Sequence, residues 1–146
     1  ILRKFRNDSW VPLLGVFLTI LIADQVASSL MKPLFQRLRP THDPAIQQVV
    51  HIVNGYRGGK FGFASSHAAN AFGVSFFFWW LFRPHRKWVI GMFLWATLIC
   101  YSRIYLGVHY PGDIAGGIAI GFFAALAGFR FHWWLLKFSK RPRQPG

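Results

Sequence analysis

A histidine and an aspartate stand four residues apart in the last third of the chain, at His109 and Asp113. If a helix begins near Tyr110, with Pro111 at its favoured first position, Asp113 lies in the first turn and can reach back to His109. A carboxylate on one ring nitrogen fixes the tautomer of an imidazole and leaves the other nitrogen free to attack. The spacing therefore predicts His109 as a nucleophile and Asp113 as the partner that orients it.

Phosphoryl transfer to a histidine needs cations on the phosphate oxygens, because those oxygens carry negative charge throughout the reaction. Lys32 and Arg39 stand seven residues apart, and Arg103 precedes His109 by six residues. On a helix seven residues make nearly two turns, so Lys32 and Arg39 could face one point. Lysine and arginine are the usual partners of phosphate oxygens, and we expect these three residues to bind phosphate.

A second histidine, His67, follows a pair of serines at the predicted start of another helix. Ser65 is predicted to cap that helix, whose free backbone N–H groups form an anion site, and Ser66 is expected to add a phosphate donor. With an ordinary pKa of about 6.5, His67 can hold a proton near neutral pH. We expect it to protonate the leaving oxygen and then to act as the base when water attacks the phosphohistidine.

Each of these signals also has a purely structural explanation. A lone histidine near a helix end is more often structural, and a lone lysine at the end of a membrane helix usually extends its charge to the interface. Ser65 and Asp113 could serve only their helix ends. The joint arrangement favours chemistry, because the three clusters divide into cations, a carboxylate-backed histidine and a second histidine without duplication of roles.

The elements that must position these residues are membrane helices. Of the 146 residues 53% are hydrophobic, 18% aromatic and only 14% charged, which is a membrane composition. About 20 mostly apolar residues are needed to cross a hydrocarbon core of roughly 30 Å. Because lipid offers no partner for backbone polar groups, the spans must be helices that pack together. The sequence therefore predicts one all-α membrane-embedded domain, a transmembrane helical bundle with spans at 10–31, 65–82, 87–105 and 111–136.

Other segments support that arrangement. Residues 44–53 carry apolar side chains at helical spacing, which predicts a short interfacial helix in the loop after the first span. The basic, proline-containing tail at 140–146 is expected to be flexible. Small residues in the last span favour close helix approach, and they are Gly112, Ala115, Gly116, Ala119 and Gly121. Tryptophans expected to anchor the cytoplasmic interface are Trp79, Trp80, Trp88, Trp133 and Trp134.

The distribution of basic residues predicts the orientation of the bundle. Eleven of the 17 lysines and arginines fall at the N-terminus, the 83–87 turn and the C-terminal end, a side that the positive-inside rule makes cytoplasmic. The mouth opposite holds the other six, which are Lys32, Arg37, Arg39, Arg57, Lys60 and Arg103. We therefore expect the site to face the periplasm or exterior of the inner (plasma) membrane. Clustering of the charge between apolar runs argues against a nucleic-acid partner.

The acidic residues are too few for a two-metal phosphatase site. They number four, with no glutamate, and the single Cys100 allows neither an internal disulfide nor a cysteine-based metal site. We therefore expect no metal and no cofactor. Asp24 lies within the first span, where a carboxylate is costly, and a structural hydrogen-bonding role is favoured over a catalytic one.

Taken together, the three clusters resemble the signature of the type-2 phosphatidic-acid phosphatase superfamily, which also includes bacterial acid phosphatases, glucose-6-phosphatase and vanadium haloperoxidases. Residues 32–40 match Lys-x6-Arg-Pro, residues 64–67 are similar to Pro-Ser-Gly-His, and residues 102–113 match Ser-Arg-x5-His-x3-Asp. The resemblance implies phosphate binding by Lys32, Arg39, Ser65 and Arg103, with His67 as the acid, His109 as the nucleophile and Asp113 as its partner.

The sequence departs from the family pattern at two points. Ala64 and Ser66 replace the usual proline and glycine of the middle motif, which affects its backbone geometry more than its chemistry. Membrane members of the family commonly have six spans, so an N-terminal helical hairpin is expected to be missing from this chain. The resemblance thus implies a compact bacterial membrane member.

The function predicted on these grounds is metal-independent hydrolysis of a phosphomonoester or pyrophosphate on a membrane lipid through a phosphohistidine. Candidate substrates include phosphatidylglycerol phosphate, undecaprenyl pyrophosphate, phosphatidic acid and lipid A phosphates. A lipid phosphotransferase with the same residues is an alternative, and so is a non-catalytic anion-binding membrane protein. The oligomeric state stays open.

Overall fold

Hydrophobic helices account for most of residues 10–139, the part of the chain that the computed structural model describes. Five α-helices are present, with bounds Trp10–Asp24 (α1), Lys32–Phe35 (α2), Ser66–Leu81 (α3), Arg86–Tyr105 (α4) and Pro111–Ser139 (α5). A π-helix, Gln25–Met31, joins α1 to α2, and short 3₁₀ turns lie at Pro40–His42 and Arg83–His85. The predicted flexible tail, 140–146, lies outside the described residues.

The first span is longer than predicted and changes character along its length. Apolar residues continue it through Trp10–Phe35 without a break, although the wider π-helical turns of Gln25–Met31 interrupt the α-helical pattern. Gln36 ends the span in a left-handed conformation, with φ at 46°, and its N–H donates to the Lys32 carbonyl at 3.0 Å. Arg39 therefore lies beyond the helix, and the expected helical alignment of Lys32 with Arg39 is wrong. Pro40 disfavours a helical conformation in the residue before it.

All four predicted long helices are present, and three of them can cross a membrane by length and composition. These three segments are Trp10–Phe35, Arg83–Tyr105 and Pro111–Phe138. With 16 residues, α3 is about 24 Å long, short of a hydrocarbon core of roughly 30 Å. It packs against α5, α4 and α1, so this helix, which is shorter than the three candidate membrane-crossing segments, has the most helical neighbours.

Glycines allow α5 to approach its neighbours closely. A Cβ atom on Gly117 would overlap the Ser65 carbonyl, one on Gly121 would overlap the Ala69 carbonyl, and one on Gly128 would overlap Thr19. Gly121 belongs to the predicted small-residue set, but Gly112, Ala115 and Ala119 are exposed. Gly116, which was also predicted, lies against the Phe63 ring, and the contacts of α5 with neighbouring helices at 117, 121 and 128, four and seven residues apart, continue along one face beyond the predicted set.

The loop after α2 lacks the predicted interfacial helix, since residues 44–49 form hydrogen-bonded turns. One Asp43 carboxylate oxygen accepts the Ala45 N–H at 3.0 Å, a local bond that competes with helix formation. Further along, the Val50 side chain lies against Gly107 on another segment. Apolar spacing suits a surface helix, but these turns direct the chain back onto the mouth of the bundle.

Candidate active site

Main-chain hydrogen bonds fix the segment that carries Arg37 and Arg39. The Arg39 N–H donates to the Lys60 carbonyl at 3.1 Å, and the Gly62 N–H donates to the Arg37 carbonyl at 2.9 Å. These bonds form an antiparallel bridge between Leu38 and Phe61. In such an extended stretch alternate residues share a side, so Arg37 and Arg39 point the same way.

Further backbone bonds join the three sequence clusters. The Thr41 N–H donates to the Gly107 carbonyl at 3.2 Å, and the Ser65 N–H donates to the Asp113 carbonyl at 3.0 Å. Lys32 Nζ donates to Ser66 Oγ at 3.1 Å, which connects the end of the first span to the start of α3. The three clusters therefore meet at one mouth of the bundle, held in part by bonds that do not depend on side-chain identity.

His109 and Asp113 are adjacent and almost completely buried, with exposures of 2% and 0%. His109 Nδ1 lies 3.4 Å from Asp113 Oδ2, within ion-pair range but not aligned for a hydrogen bond. Burial lowers the pKa of His109 below its ordinary value, and the Asp113 carboxylate opposes that shift. The imidazole is consequently neutral near pH 7, the form that carries a nucleophilic lone pair.

The first turn of α5 holds the Asp113 carboxylate in place. Asp113 Oδ2 accepts the Tyr110 N–H at 2.8 Å, which satisfies a free donor at the start of the helix as the predicted first-turn position allows. Its other oxygen, Oδ1, lies 3.5 Å from Arg37 Nη1. Gly62 stands against Oδ2, and a Cβ atom there would lie only 3.0 Å from it.

The start of α3 brings Ser65 and His67 to the same mouth. Ser65 caps the helix as predicted, since its Oγ accepts the Ala68 N–H at 3.4 Å. His67, two residues further along, reaches the surface. Partial removal from water lowers the pKa of His67, and the neighbouring Arg103 and His109 lower it further. His67 is therefore close enough to Arg103 and to the buried imidazole of His109 for both to act on it electrostatically.

Arg39 and Arg103 place two guanidinium groups beside the histidines. Arg39 Nε donates to the Phe61 carbonyl at 3.1 Å, and a Cβ atom on Gly58 would overlap its guanidinium. Arg103 Nε donates to Ser102 Oγ at 3.3 Å. Partial burial lowers the pKa of Arg39, and the nearby Arg103 also acts to lower it, but an arginine keeps its charge at any physiological pH.

Asp24 anchors a chain of polar side chains that runs toward Lys32. Its Oδ1 accepts from Asn70 Nδ2 at 3.4 Å and from Ser28 Oγ at 3.5 Å, and Lys32 Nζ donates to Ser28 Oγ at 3.3 Å. The predicted hydrogen-bonding role of Asp24 is thus confirmed. The carboxylate also adds negative charge near the Lys32 ammonium group.

Arg37 is the residue that sequence analysis missed as part of this site. Besides its contact with Asp113, its guanidinium lies over the Tyr110 ring at 4.5 Å from the centroid. The Tyr110 hydroxyl donates to Asp43 Oδ2 at 2.7 Å, and that bond lowers the pKa of Asp43. The signal was available, because Arg37 and Arg39 flank one residue just before Pro40, in a stretch that the proline makes extended.

Comparison with known proteins gives matches over most of the chain. The PAP2 superfamily profile matches residues 13–137. Lipid A 4'-phosphatase of Bacteroides thetaiotaomicron is 45% identical over 142 residues, which cover 93% of this chain and 61% of that protein. Lipid A 4'-phosphatase of Porphyromonas gingivalis is 46% identical over 110 residues, covering 73% of this chain and 45% of that protein.

A more distant relative is phosphatidylglycerophosphatase B of Bacillus subtilis, 30% identical over 125 residues, which cover 80% of this chain and 56% of that protein. No solved structure matches the chain significantly. The chain thus spans roughly half of the length of these curated relatives, between 45% and 61%. The family profile covers His67 and His109, all three motif segments and most of the long apolar helices. The chain therefore belongs to the PAP2 superfamily.

Proposed function

We propose that the chain hydrolyses a phosphate ester on a membrane lipid, without a metal, through a phosphohistidine on His109. The observation that carries this proposal is the buried pair of His109 Nδ1 and Asp113 Oδ2, 3.4 Å apart, at a mouth that also holds a second histidine and several cations. Asp113 orients the ring through Nδ1, which leaves Nε2 to attack phosphorus.

In the first step Nε2 of His109 forms a bond to phosphorus as the bond to the lipid oxygen breaks. The negative charge of the bound phosphate opposes the groups that lower the pKa of His67 and so favours its protonated form. The lipid oxygen takes that proton, so the lipid leaves as an alcohol. In the second step neutral His67 accepts a proton from water as the water oxygen attacks the phosphohistidine. Inorganic phosphate and free His109 result. The surface position of His67 suits this exchange of protons with solvent.

The cations of the mouth support the same reaction. Among residues 10–139, Lys32, Arg39 and Arg103 have no carboxylate within 4 Å. Their charge is therefore available to the nonbridging phosphate oxygens in the transition state. Ser66 Oγ, which already accepts from Lys32 Nζ, and the N-terminal N–H groups of α3 are placed to add neutral donors.

For the substrate we propose the phosphate of a lipid A-type glycolipid, because two relatives at 45% and 46% identity are named for lipid A 4'-phosphate. A site at the end of a bundle lets acyl chains stay in the membrane while the head group reaches the cations. Following the distribution of basic residues, we place the mouth at the periplasmic or outer face of the inner membrane.

Phosphate release from a lipid panel in detergent with excess EDTA tests the proposal. The panel contains lipid A, phosphatidylglycerol phosphate, phosphatidic acid and undecaprenyl pyrophosphate. We expect release in EDTA from lipid A at least, and a loss of about 10³-fold or more in both His109→Gln and His67→Gln. His51→Gln is the matched control. His51 lies in the loop between the first span and α3, and its ring packs on Tyr105 with 5.9 Å between ring centroids.

Two results would overturn the proposal. Equal phosphate release by the wild type and His109→Gln would remove the nucleophile, and loss of wild-type activity in EDTA that returns with added metal would remove the metal-independent mechanism. Acid-labile, base-stable radiolabel on the protein after brief incubation with ³²P-labelled lipid A is expected for the wild type and not for His109→Gln.

A further inference from the structure

A second cationic cleft lies at the end of the bundle remote from the proposed active site. It has a volume of about 500 Å³ and lies between the end of α3, the turn Arg83–His85 and the last part of α5. Arg83, Arg130 and Lys137 line it. Arg130 and Lys137 are seven residues apart on α5, so they share one face of the helix.

The walls between these cations are aromatic. Trp80 on α3 meets Phe129 on α5 with 5.6 Å between ring centroids, and Phe129 meets Trp133 at 6.2 Å. Rings of this kind fit the level of a bilayer where the head groups meet the acyl chains. The cleft therefore combines an apolar floor with three positive side chains.

The three cations of the cleft are unpartnered, unlike their neighbours in sequence. Between residues 10 and 139, Arg83, Arg130 and Lys137 form no ion pair and no side-chain hydrogen bond. By contrast, Arg86 lies over the Trp79 ring at 4.6 Å and Lys87 lies over the Trp88 ring at 5.9 Å. A general attraction of basic residues to the membrane surface would not require these three side chains to lie around one cleft.

We propose that this cleft binds the head group of one anionic phospholipid, in the leaflet opposite the active site. The phosphodiester lies among Arg83, Arg130 and Lys137, because guanidinium and ammonium groups are strong partners of phosphate oxygens. The glycerol and the upper acyl chains lie on Trp80, Phe129 and Trp133. Basic pockets between membrane helices are a recognised way of holding anionic lipids. The site is independent of the reaction proposed for His109.

Lipid binding to the purified full chain, measured by native mass spectrometry, tests this proposal. The probes are phosphatidylglycerol and phosphatidylcholine with identical acyl chains, and neither carries a terminal phosphate that a phosphatase of this kind would remove. We expect the wild type to retain one more phosphatidylglycerol than phosphatidylcholine. The double variant Arg83→Gln/Arg130→Gln is expected to weaken that binding about tenfold or more, since each basic residue near a membrane surface contributes separately to the binding of an anionic head group.

The matched control is Arg86→Gln/Lys87→Gln, which removes the same charge from the same end of the bundle and leaves the cleft intact. The control pair should bind phosphatidylglycerol as the wild type does. Every variant keeps the cations of the active-site mouth, so any lipid bound there contributes equally. Elution volume and helical circular dichroism identify variants that have not folded, and Lys137→Gln supplies a single substitution with the same expected direction.

Three outcomes would overturn the proposal. Equal weakening in the cleft pair and the control pair would mean diffuse attraction of anionic lipid, and equal retention of the two lipids by the wild type would mean no recognition of the head group. Displacement of phosphatidylglycerol by inorganic phosphate or glycerol phosphate at matched concentration would mean a site for free phosphate instead of a lipid.

Discussion

The two oxygens of the Asp113 carboxylate have different partners, and Arg37 is the partner of one of them. Oδ2 lies beside His109 Nδ1 and accepts the Tyr110 N–H, whereas Oδ1 has Arg37 as its nearby cation. A fully buried carboxylate needs compensation for the charge that it takes out of water. We infer that Arg37 acts on the reaction indirectly, by compensating the buried charge at Asp113 Oδ1 and keeping the carboxylate turned toward His109.

Substitution of Arg37 should lower kcat and leave KM nearly unchanged. Arg37→Ala removes the partner of Oδ1 and is expected to reduce kcat about tenfold, with partial recovery in Arg37→Lys, because lysine restores charge but not the planar stacking on Tyr110. Steady-state phosphate release measures both constants. Within residues 10–139 the Lys60 ammonium group forms no ion pair or hydrogen bond and lies over the adjacent Phe61 ring, so Lys60→Ala should behave as the wild type. A rise in KM alone for Arg37→Ala would contradict the positioning role.

For individual residues, spacing along the chain predicts local contacts well, but it does not predict contacts between segments that are distant in sequence. The cap by Ser65 and the first-turn position of Asp113 follow from residues three or four apart, and both are present. The contact of Arg37 with Asp113 spans 76 positions of the chain and depends on the bridge between Leu38 and Phe61. No pattern in the sequence specifies that bridge.

Among the elements, α3 and α5 make the closest helix contact of the site region. Gly121 meets both the Ala69 carbonyl and Gly73, whose own Cβ would lie 3.3 Å from the Gly121 carbonyl. On the active-site side of this crossing, the Ser65 N–H donates to the Asp113 carbonyl. Helix separation at Gly121 therefore controls how far the His67 end of α3 lies from the Asp113 end of α5.

Gly121→Ala should destabilise the bundle by about 1–3 kcal/mol, because the added methyl group has no space against the α3 backbone. Thermal unfolding in detergent, followed by helical circular dichroism, measures the change. Gly91→Ala is the matched control, since a Cβ atom at Gly91 on α4 meets nothing within 4 Å. Equal melting temperatures for the two variants would refute the close-contact interpretation.

Hydropathy locates the helices but not what happens between them. The predicted spans 87–105 and 111–136 agree closely with Arg86–Tyr105 and Pro111–Ser139, because long apolar runs in lipid have no other stable backbone. Residues 44–53 show the limit of the method. Their helical spacing is genuine, yet the Asp43 bond to Ala45 and the contact of Val50 with Gly107 produce turns.

For the whole molecule, the two ends of the bundle differ in how their positive charge is used. At one end Arg37, His109 and the other groups of the mouth surround Asp113, and at the other end the cleft is lined by three cations that have no ion-pair partner within residues 10–139. Because most of the lysines and arginines fall in the chain ends and the 83–87 turn of the sequence, the positive-inside rule favours a cytoplasmic cleft end, which is the orientation we propose.

Thiol labelling in intact cells tests this orientation. Gln48→Cys lies in the loop near the mouth and His85→Cys lies in the turn at the cleft end, and both positions are exposed. Neither substitution alters a charged residue that directs insertion. A membrane-impermeant maleimide should label Gln48→Cys in intact cells and His85→Cys only after permeabilisation. The wild type is the blank, because Cys100 is buried. The reverse pattern would invert the topology.

The main-chain bonds that assemble the mouth have a further effect on turnover. They fix the backbone at Arg39, whose guanidinium also donates to the Phe61 carbonyl, so Arg39 has little freedom to move away from the nearby Arg103 when no anion lies between them. In the reaction that we propose, the departure of inorganic phosphate restores the repulsion between these cations, so release is unfavourable until another anion binds. We expect the release of product phosphate to be coupled to the binding of the next lipid head group. The turnover rate would then depend on how readily that head group replaces the bound phosphate.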